Sequence, residues 1–221
     1  MDSTNCIKGD RDGREERSEK SRIRILHSAT KIFAEKGPDG TRVDEIAEDA
    51  GINKRMLYHY FGNKEDLYVE VLRYNFNKIY SLGKRTLNLG DDPRENVTRA
   101  LRAYFYFLAE NEEFVRLTSW EALNRGQFAG KVLPEFFDLL ELEFDDIIKA
   151  GIERGVIRPE TDIRQVLLSI HSLCIFYFTR QELVKRLWNE DLLSKEMLEA
   201  RLQHILNLIF DGIFSHKEAE K

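Results

Sequence analysis

The sequence predicts an all-α protein in which a small three-helix unit precedes a larger helical domain. Apolar residues recur at steps of three and four through most of the 221 residues, which is the period of an amphipathic helix. No segment shows a convincing alternation with a period of two. The 4 prolines and 13 glycines are too few for the turns that a β-sandwich needs about every 8–12 residues.

Composition narrows the class of protein further. Hydrophobic residues make up 42% and charged residues 33% of the chain, which is enough for a packed core. The charged N-terminus excludes a signal peptide, and the most apolar stretch, residues 166–178, is too short to span a membrane. The 2 cysteines, Cys6 and Cys174, cannot form a disulfide framework. We therefore expect a cytoplasmic protein without membrane contact.

The first predicted helix covers residues 19–36. Its apolar positions lie three and four residues apart, and Gly37-Pro38 should end it, because glycine closes helices and proline cannot continue them. Residues 1–18 carry mixed charge, and we expect them to form a flexible arm.

Two short helices should follow, joined by a tight turn. Thr41 is the predicted N-cap of the second helix, with Asp44 three residues later as in a capping box. Gly51 supplies the positive φ that a tight turn requires, and Asn53 is a favourable N-cap for the third helix. A short helix, one glycine turn and a second short helix form a helix-turn-helix. Asn63 then caps a long fourth helix.

The distribution of charge suggests a role for this unit. The net charge of −5 argues against a nucleic-acid partner, but residues 51–63 contain no acidic residue. Lys54 and Arg55 open the third helix, and Lys64 follows it. Recognition helices contact base edges with their N-terminal residues, and local rather than net charge decides phosphate contact.

The residues of this region resemble a known family. The stretch TRVDEIAEDAGINKRMLYHYFGNKEDL at 41–67, preceded by ATKIFAEKG at 29–37, is similar to the signature of the tetracycline-repressor (TetR) family. The resemblance is specific over about residues 22–72, and beyond them only chain length and helix count agree. It implies a homodimeric transcription factor with a DNA-binding domain at 19–63. A ligand-binding and dimerisation domain at 64–221 would hold a small-molecule effector.

Carried over by position, the resemblance implies contacts with double-stranded DNA at and around the third helix. Two departures stand out: Arg55 replaces a frequent glycine, and Met56 replaces a frequent threonine or serine. Met56 cannot donate a hydrogen bond to phosphate, but its apolar side chain can contact a thymine methyl group. The predicted DNA contacts are Thr41, Arg42, Asn53, Lys54, Arg55, Met56, Tyr58, His59, Tyr60 and Lys64.

The C-terminal region should contain a fifth helix from Pro93 and helices at about 111–124, 131–154, 161–186 and 194–215. The last two are more apolar than one subunit can cover, so we expect a dimeric four-helix bundle, as the family resemblance also implies. The alternative is that both helices line a large monomeric core. The predicted interface residues are Val166, Ile170, Leu173, Tyr177, Leu202, Ile205, Ile209 and Ile213.

A ligand pocket should be mostly apolar with a few polar groups. The candidates are Trp120, Asn124, Gln127, His171 and Tyr177, although residues of these types in such positions are more often satisfied core or surface groups than ligand contacts. His171 and Cys174 lie three residues apart, but no third histidine or cysteine is nearby. No metal site and no cofactor is predicted.

The sequence is compatible with three classes of function. The favoured one is a ligand-responsive regulator, a repressor, that binds a palindromic operator. An enzyme is disfavoured because the chain lacks G-x-G-x-x-G, Walker, H-E-x-x-H and G-x-S-x-G motifs. A helical interaction module with a vestigial helix-turn-helix remains the third possibility.

Overall fold

A computed structural model describes the backbone of residues 4–88 and 91–213, and side chains at 16–88, 91–136 and 144–213. Within these residues the chain is helical and contains no β-strand, which confirms the all-α prediction. The helices are α1 (Thr4–Gly40), α2 (Val43–Asp49), α3 (Lys54–Phe61), α4 (Lys64–Thr86), α5 (Pro93–Glu110), α6 (Glu112–Leu123), α7 (Leu133–Glu153), α8 (Ile163–Thr179), α9 (Gln181–Trp188) and α10 (Lys195–Ile213), with a 3₁₀ turn at Ala129–Lys131.

Helix α1 differs from its prediction at its start. It begins at Thr4, so the charged segment expected to be a flexible arm is continuous with the first helix over its described residues. Near the other end Gly37 adopts φ 72°, and Pro38 follows within the same element. The predicted break at Gly37 is therefore present as a kink, because glycine alone tolerates that conformation without strain.

Thr41 caps the helix before it rather than the helix after it. Its hydroxyl donates to the carbonyl oxygen of Gly37 at 2.7 Å and lies 3.4 Å from that of Ile32. The N-cap of α2 is Arg42, which makes no capping hydrogen bond with its side chain. The capping box predicted at Thr41 was thus wrong, because the kink at Gly37 leaves α1 carbonyls that need a donor.

The turn between α2 and α3 matches the sequence prediction. Gly51 adopts φ 63°, and the amide of Ile52 donates to the carbonyl of Ala47 at 3.0 Å. The side chain of Asn53 accepts a hydrogen bond from the Met56 amide at 2.8 Å. These contacts confirm the predicted glycine turn and the N-cap of α3.

One predicted helix is two helices in the structure. The segment expected at 161–186 breaks at Arg180, where φ is −110° and ψ is 7°. Helix α9 then runs to Trp188 without a buried residue. Neither proline nor glycine occurs at this break, so helical periodicity alone could not have located it.

Two hydrophobic cores organise the molecule. The first joins α1–α4 with residues of α6, the 3₁₀ turn and the start of α7, among them Leu117, Phe128 and Val132. The second is built mainly from α5, α7, α8 and α10. Phe76 of α4 packs against both cores. The first core therefore extends past residue 63, where the sequence placed the domain boundary, because α4 belongs to both.

Across the described ranges, no helix is both long and apolar enough to cross a membrane.

Candidate functional site

Helix α3 has one face fixed in the first core and the other open to solvent. Leu57 is fully buried and Phe61 is 6% exposed, so these two side chains anchor the helix. The opposite side presents a cation, a flexible apolar group and two aromatic rings, and it contains no acid. Its exposed side chains are Arg55, Met56, Tyr58 and His59.

The three cations of this region are held differently. The ammonium group of Lys54 lies 2.9 Å from the carboxylate of Asp44, which raises the pKa of Lys54. Lys64 is part-buried and donates to the backbone carbonyl of Thr41 at 3.3 Å. Arg55 is exposed and makes no hydrogen bond or ion pair within the described part of the chain. Among these three cations, Arg55 would therefore break the fewest intramolecular contacts on binding a phosphate or a base.

The other predicted DNA contacts divide between surface and interior. Arg42 and Asn53 are exposed, at the N-caps of α2 and α3 respectively. Tyr60 is half-buried, and its hydroxyl lies 3.0 Å from that of Ser18 on α1. Thr41 is only 2% exposed, and both of its hydroxyl contacts are internal. Its side chain does not reach the surface, and this corrects the prediction that it contacts DNA.

The C-terminal region contains a cavity of about 500 Å³ that is partly open to solvent. Helices α4 to α8 contribute most of its wall, and Ile213 of α10 also lines it. Aliphatic and aromatic side chains dominate the lining, as is usual for a small-molecule site. Leu72 and Phe76 of α4 belong both to this wall and to the cores described above, so α4 links the cavity to the DNA-binding unit.

A tyrosine–histidine pair forms one polar position of the cavity wall. The hydroxyl of Tyr104 on α5 lies 2.7 Å from Nδ1 of His171 on α8. Burial lowers the pKa of His171 and raises the pKa of Tyr104. Both groups are therefore neutral near pH 7, so this part of the wall carries hydrogen-bonding groups without charge.

A buried carboxylate forms another part of the wall. Glu121 of α6 is 5% exposed, and its Oε2 accepts from the backbone amides of Phe128 at 3.1 Å and Ala129 at 2.7 Å. It thereby closes the turn between α6 and α7. Burial and the neighbouring Glu121 raise the pKa of Tyr68. Sequence reasoning missed Glu121, although its spacing from Leu117 places it on the apolar face of α6.

The predicted ligand contacts lie in several places. His171 lines the cavity, whereas Asn124 and Gln127 lie in the turn after α6, outside the described lining. The indole Nε1 of Trp120 donates to the carbonyl of Ala34 on α1 at 3.1 Å. The hydroxyl of buried Tyr177 donates to the carbonyl of Leu192 at 2.8 Å. Trp120 thus joins α6 to α1, and Tyr177 joins α8 to the turn before α10.

The predicted dimer residues belong mostly to the interior of the subunit. Within this group Val166 and Ile170 line the cavity, and Leu173 packs on the second core. Five others are buried in that core: Tyr177, Leu202, Ile205, Ile209 and Ile213. The choice of faces is thereby corrected, because a helix that is apolar on all sides gives no periodic signal of which side faces inward.

A different face of the same two helices is apolar and open. Leu168 and Phe176 of α8 are 59% and 60% exposed, and Leu208 of α10 is 47% exposed. Leu168, Ser172 and Phe176 are spaced by four residues and therefore lie along one side of α8. Helix α9 adds three more exposed apolar side chains, Leu183, Leu187 and Trp188.

Family models match both parts of the chain. Residues 25–71 match the model of bacterial regulatory proteins of the tetR family. Residues 93–209 match a model of the tetracyclin repressor-like C-terminal domain. The two matches cover the helix-turn-helix with α1 and the start of α4, and then the helices that surround the cavity.

Similar proteins agree with this assignment. The transcriptional repressor NicS of Pseudomonas putida is 31% identical over 210 residues, covering 90% of this chain and 95% of NicS. The repressor KstR2 of Mycolicibacterium smegmatis is 30% identical over 149 residues, or 64% of this chain and 70% of KstR2. The structure of FadR from Bacillus subtilis in complex with stearoyl-CoA has the same fold, with a TM-score of 0.68 at 22% identity, covering 86% of this chain and 98% of FadR. The chain therefore belongs to the tetR family of bacterial regulatory proteins.

Proposed function

We propose that this regulator represses transcription by binding a palindromic operator as a homodimer, and that a small, largely apolar effector releases it. The observation that carries the proposal is the exposed, acid-free face of α3, which is held rigidly by Leu57 and Phe61. The repressor names of NicS and KstR2 support the direction of regulation. The ligand-bound FadR supports an effector within this fold.

On DNA, Arg55 is the residue we assign to base recognition. A guanidinium can donate to both O6 and N7 of guanine in the major groove. Met56 and Tyr58 are 38% and 41% exposed on the same helix and offer apolar contact area. Lys54 can exchange the Asp44 carboxylate for a phosphate, and Lys64 lies at the N-terminus of α4, where the helix dipole also favours an anion.

The DNA assignment is tested by selecting bound sequences from a random duplex pool and measuring the affinity of the best one. Arg55→Ala should cost about 1–3 kcal/mol on that site and relax the preference at one base pair. Arg186→Ala on α9 removes the same charge far along the chain and is the matched control. If Arg55→Ala weakens all sequences equally, Arg55 contacts phosphate and the assignment to a base is wrong.

The open face of α8 and α10 is the surface we assign to the second subunit. Its large apolar side chains, Leu168, Phe176 and Leu208, would otherwise remain in water. A two-fold axis would pair this face with itself and form a four-helix bundle. Such an axis also presents two α3 helices to successive major grooves, which lie about 34–36 Å apart.

Sedimentation tests the interface. Phe176→Glu and Leu208→Glu should each convert the dimer, with twice the mass of the chain, into a monomer. The reason is that burying an unpaired charge in an apolar interface is strongly unfavourable. Leu123→Glu is the control, since Leu123 is an equally large side chain, 73% exposed on α6. If the wild-type protein is a monomer that still binds a palindromic site tightly, the proposed homodimer is wrong.

Release by an effector follows from the position of α4. This helix begins beside α3 and lines the cavity with Leu72 and Phe76, so filling the cavity can shift the spacing of the two α3 helices. A coupling of about 1–3 kcal/mol would weaken operator binding about 5- to 150-fold, and operator must weaken effector binding by the same factor. Equal effector affinity with and without operator would show that the C-terminal domain serves assembly alone.

A further inference from the structure

We infer that the effector is an uncharged, largely apolar molecule with a carbonyl or hydroxyl oxygen, and that this oxygen binds to the pair formed by Tyr104 and His171. The inference rests on the proposal that the cavity between α4 and α8 takes the effector. It adds the chemical class of that molecule and the two side chains that select it.

Three other polar groups in the lining already make hydrogen bonds within the protein. The hydroxyl of Thr118 donates to the carbonyl of Val115 at 2.8 Å, and that of Thr86 donates to Gly83 at 3.0 Å. Both bonds stay within the helix that carries the threonine. Glu121 uses Oε2 to hold two backbone amides, and its Oε1 is fully enclosed by protein. A ligand would have to open the wall to reach that carboxylate.

The Tyr104–His171 pair, in contrast, keeps hydrogen-bonding capacity after its own bond is made. If the tyrosine hydroxyl donates to Nδ1, the imidazole has its proton on Nε2 and can still donate there. If Nδ1–H donates to the tyrosine oxygen, the hydroxyl proton remains available instead. In either tautomer one N–H or O–H donor remains for an oxygen of the ligand. Both residues belong to the cavity wall, so this capacity is at the site.

The electrostatics of the pair disfavour a charged group. Burial lowers the pKa of His171 and raises the pKa values of its neighbours Tyr104 and Cys174, and the charge of Arg201, which partly offsets the rise at Cys174, lies outside the cavity lining. A ligand carboxylate would meet no cation at the pair, and the Glu121 carboxylate in the wall would repel it. Arg125 and His171 both line the cavity and are both exposed, so water reaches this part of the wall and screens the Arg125 charge.

A matched set of phenylpropane probes tests the inference. A neutral fluorescent dye, N-phenyl-naphthylamine, is bound to the full-length protein and displaced by propylbenzene, benzyl methyl ketone, phenylpropanol, phenylpropanoate or phenylpropylammonium. The ketone and the alcohol should displace the dye at concentrations about 3- to 10-fold lower than propylbenzene, the gain from one hydrogen bond. The carboxylate and the ammonium should need at least about tenfold more than the ketone.

Variants locate the selectivity. Tyr104→Phe and His171→Phe keep an aromatic ring and should each remove the advantage of the ketone and alcohol over propylbenzene. Tyr106→Phe is the control, because the Tyr106 hydroxyl lies on the same helix but donates to Glu199 at 3.1 Å. Thermal unfolding of each variant checks that the fold is retained.

The outcomes separate the two proposals. Dye binding without a preference for the neutral oxygen, or a preference that both Phe substitutions leave intact, overturns the inference and leaves the effector cavity standing. Stronger displacement by phenylpropanoate also overturns it and points to an anion held near Arg125. If neither the dye nor any probe binds, both the cavity proposal and this inference fail.

Discussion

The two hydrophobic cores differ in how completely they are filled. In the first core, Phe33 packs against Tyr68 at a ring distance of 4.8 Å, and Tyr68 packs against Phe128 at 5.2 Å. Ile46, Leu57 and Leu67 in the same core have no solvent exposure. The second core borders a cavity of about 500 Å³, and the aliphatic side chains Val166, Leu167 and Ile170, which line this cavity, are only half-buried.

This difference corresponds to what each region must do. A helix that reads base edges needs a fixed orientation, and dense packing of its anchor residues gives one. A region that binds a small molecule needs unfilled volume, so it gives up some packing energy. Trp120 of α6 connects the C-terminal region with the first helix, because its indole donates to the carbonyl of Ala34 on α1.

A matched pair of leucine truncations tests this contrast most strongly. Leu67→Ala in the first core should lower the free energy of unfolding by about 2–5 kcal/mol, because it opens a void in a closed core. Leu167→Ala in the cavity wall should cost only about 1 kcal/mol, since that side chain already lacks neighbours on one side. Urea denaturation measures both. Equal losses would show that the cavity wall is as well packed as the first core.

A glycine substitution tests the contact between the regions. A Cβ atom at Gly37 would lie 2.9 Å from the Trp120 ring, and the residue has φ 72°. Gly37→Ala should therefore cost about 2–4 kcal/mol through strain and overlap together. Gly51→Ala is the control, with φ 63° but no atom within 4 Å of its Cβ position, and should cost only about 1–2 kcal/mol. A smaller loss at Gly37 than at Gly51 would contradict the tight packing of α6 on α1.

Helix caps provide a test within the DNA-binding unit. Asn53→Ala should lose about 1 kcal/mol of stability, because the Met56 amide would have no side-chain acceptor. Arg42→Ala changes the N-cap of α2, where the structure shows no side-chain capping bond, and should be close to neutral. The midpoint of thermal unfolding distinguishes the two. A larger effect at Arg42 would mean that its backbone geometry matters more than the cap.

The smallest expected effect is a pH dependence in the second core. Burial lowers the pKa of His171 below its ordinary value of 6.5, so the unfolded chain binds the proton more readily than the folded one. Its contribution to stability is therefore present above about pH 6.5 and is lost as the pH falls through the folded-state pKa. His171→Asn, which keeps a polar partner for Tyr104, should flatten this part of the curve of unfolding free energy against pH. An unchanged curve would show that other groups cause the loss of stability at acidic pH.

The local features of this protein follow from its amino-acid sequence alone. Helical period, the positive φ at Gly51 and the caps Asn53 and Asn63 follow from the chemistry of a few neighbouring residues, and all are present. The family resemblance over residues 22–72 was equally local. Each of these signals is complete within one or two turns of helix, so no distant contact was needed to interpret it.

Which faces of the apolar helices turn inward depends on the packing of the whole chain. Ile209 and Phe176 are both large apolar residues in strongly apolar helices. Ile209 is nevertheless buried in the subunit, whereas Phe176 is 60% exposed. The roles of Thr41, Trp120 and Glu121 were decided in the same way, by a kink, a neighbouring helix and a turn that local periodicity does not encode. Burial depends on what the rest of the chain places against a side chain, and a hydrophobic pattern states only that something must cover it.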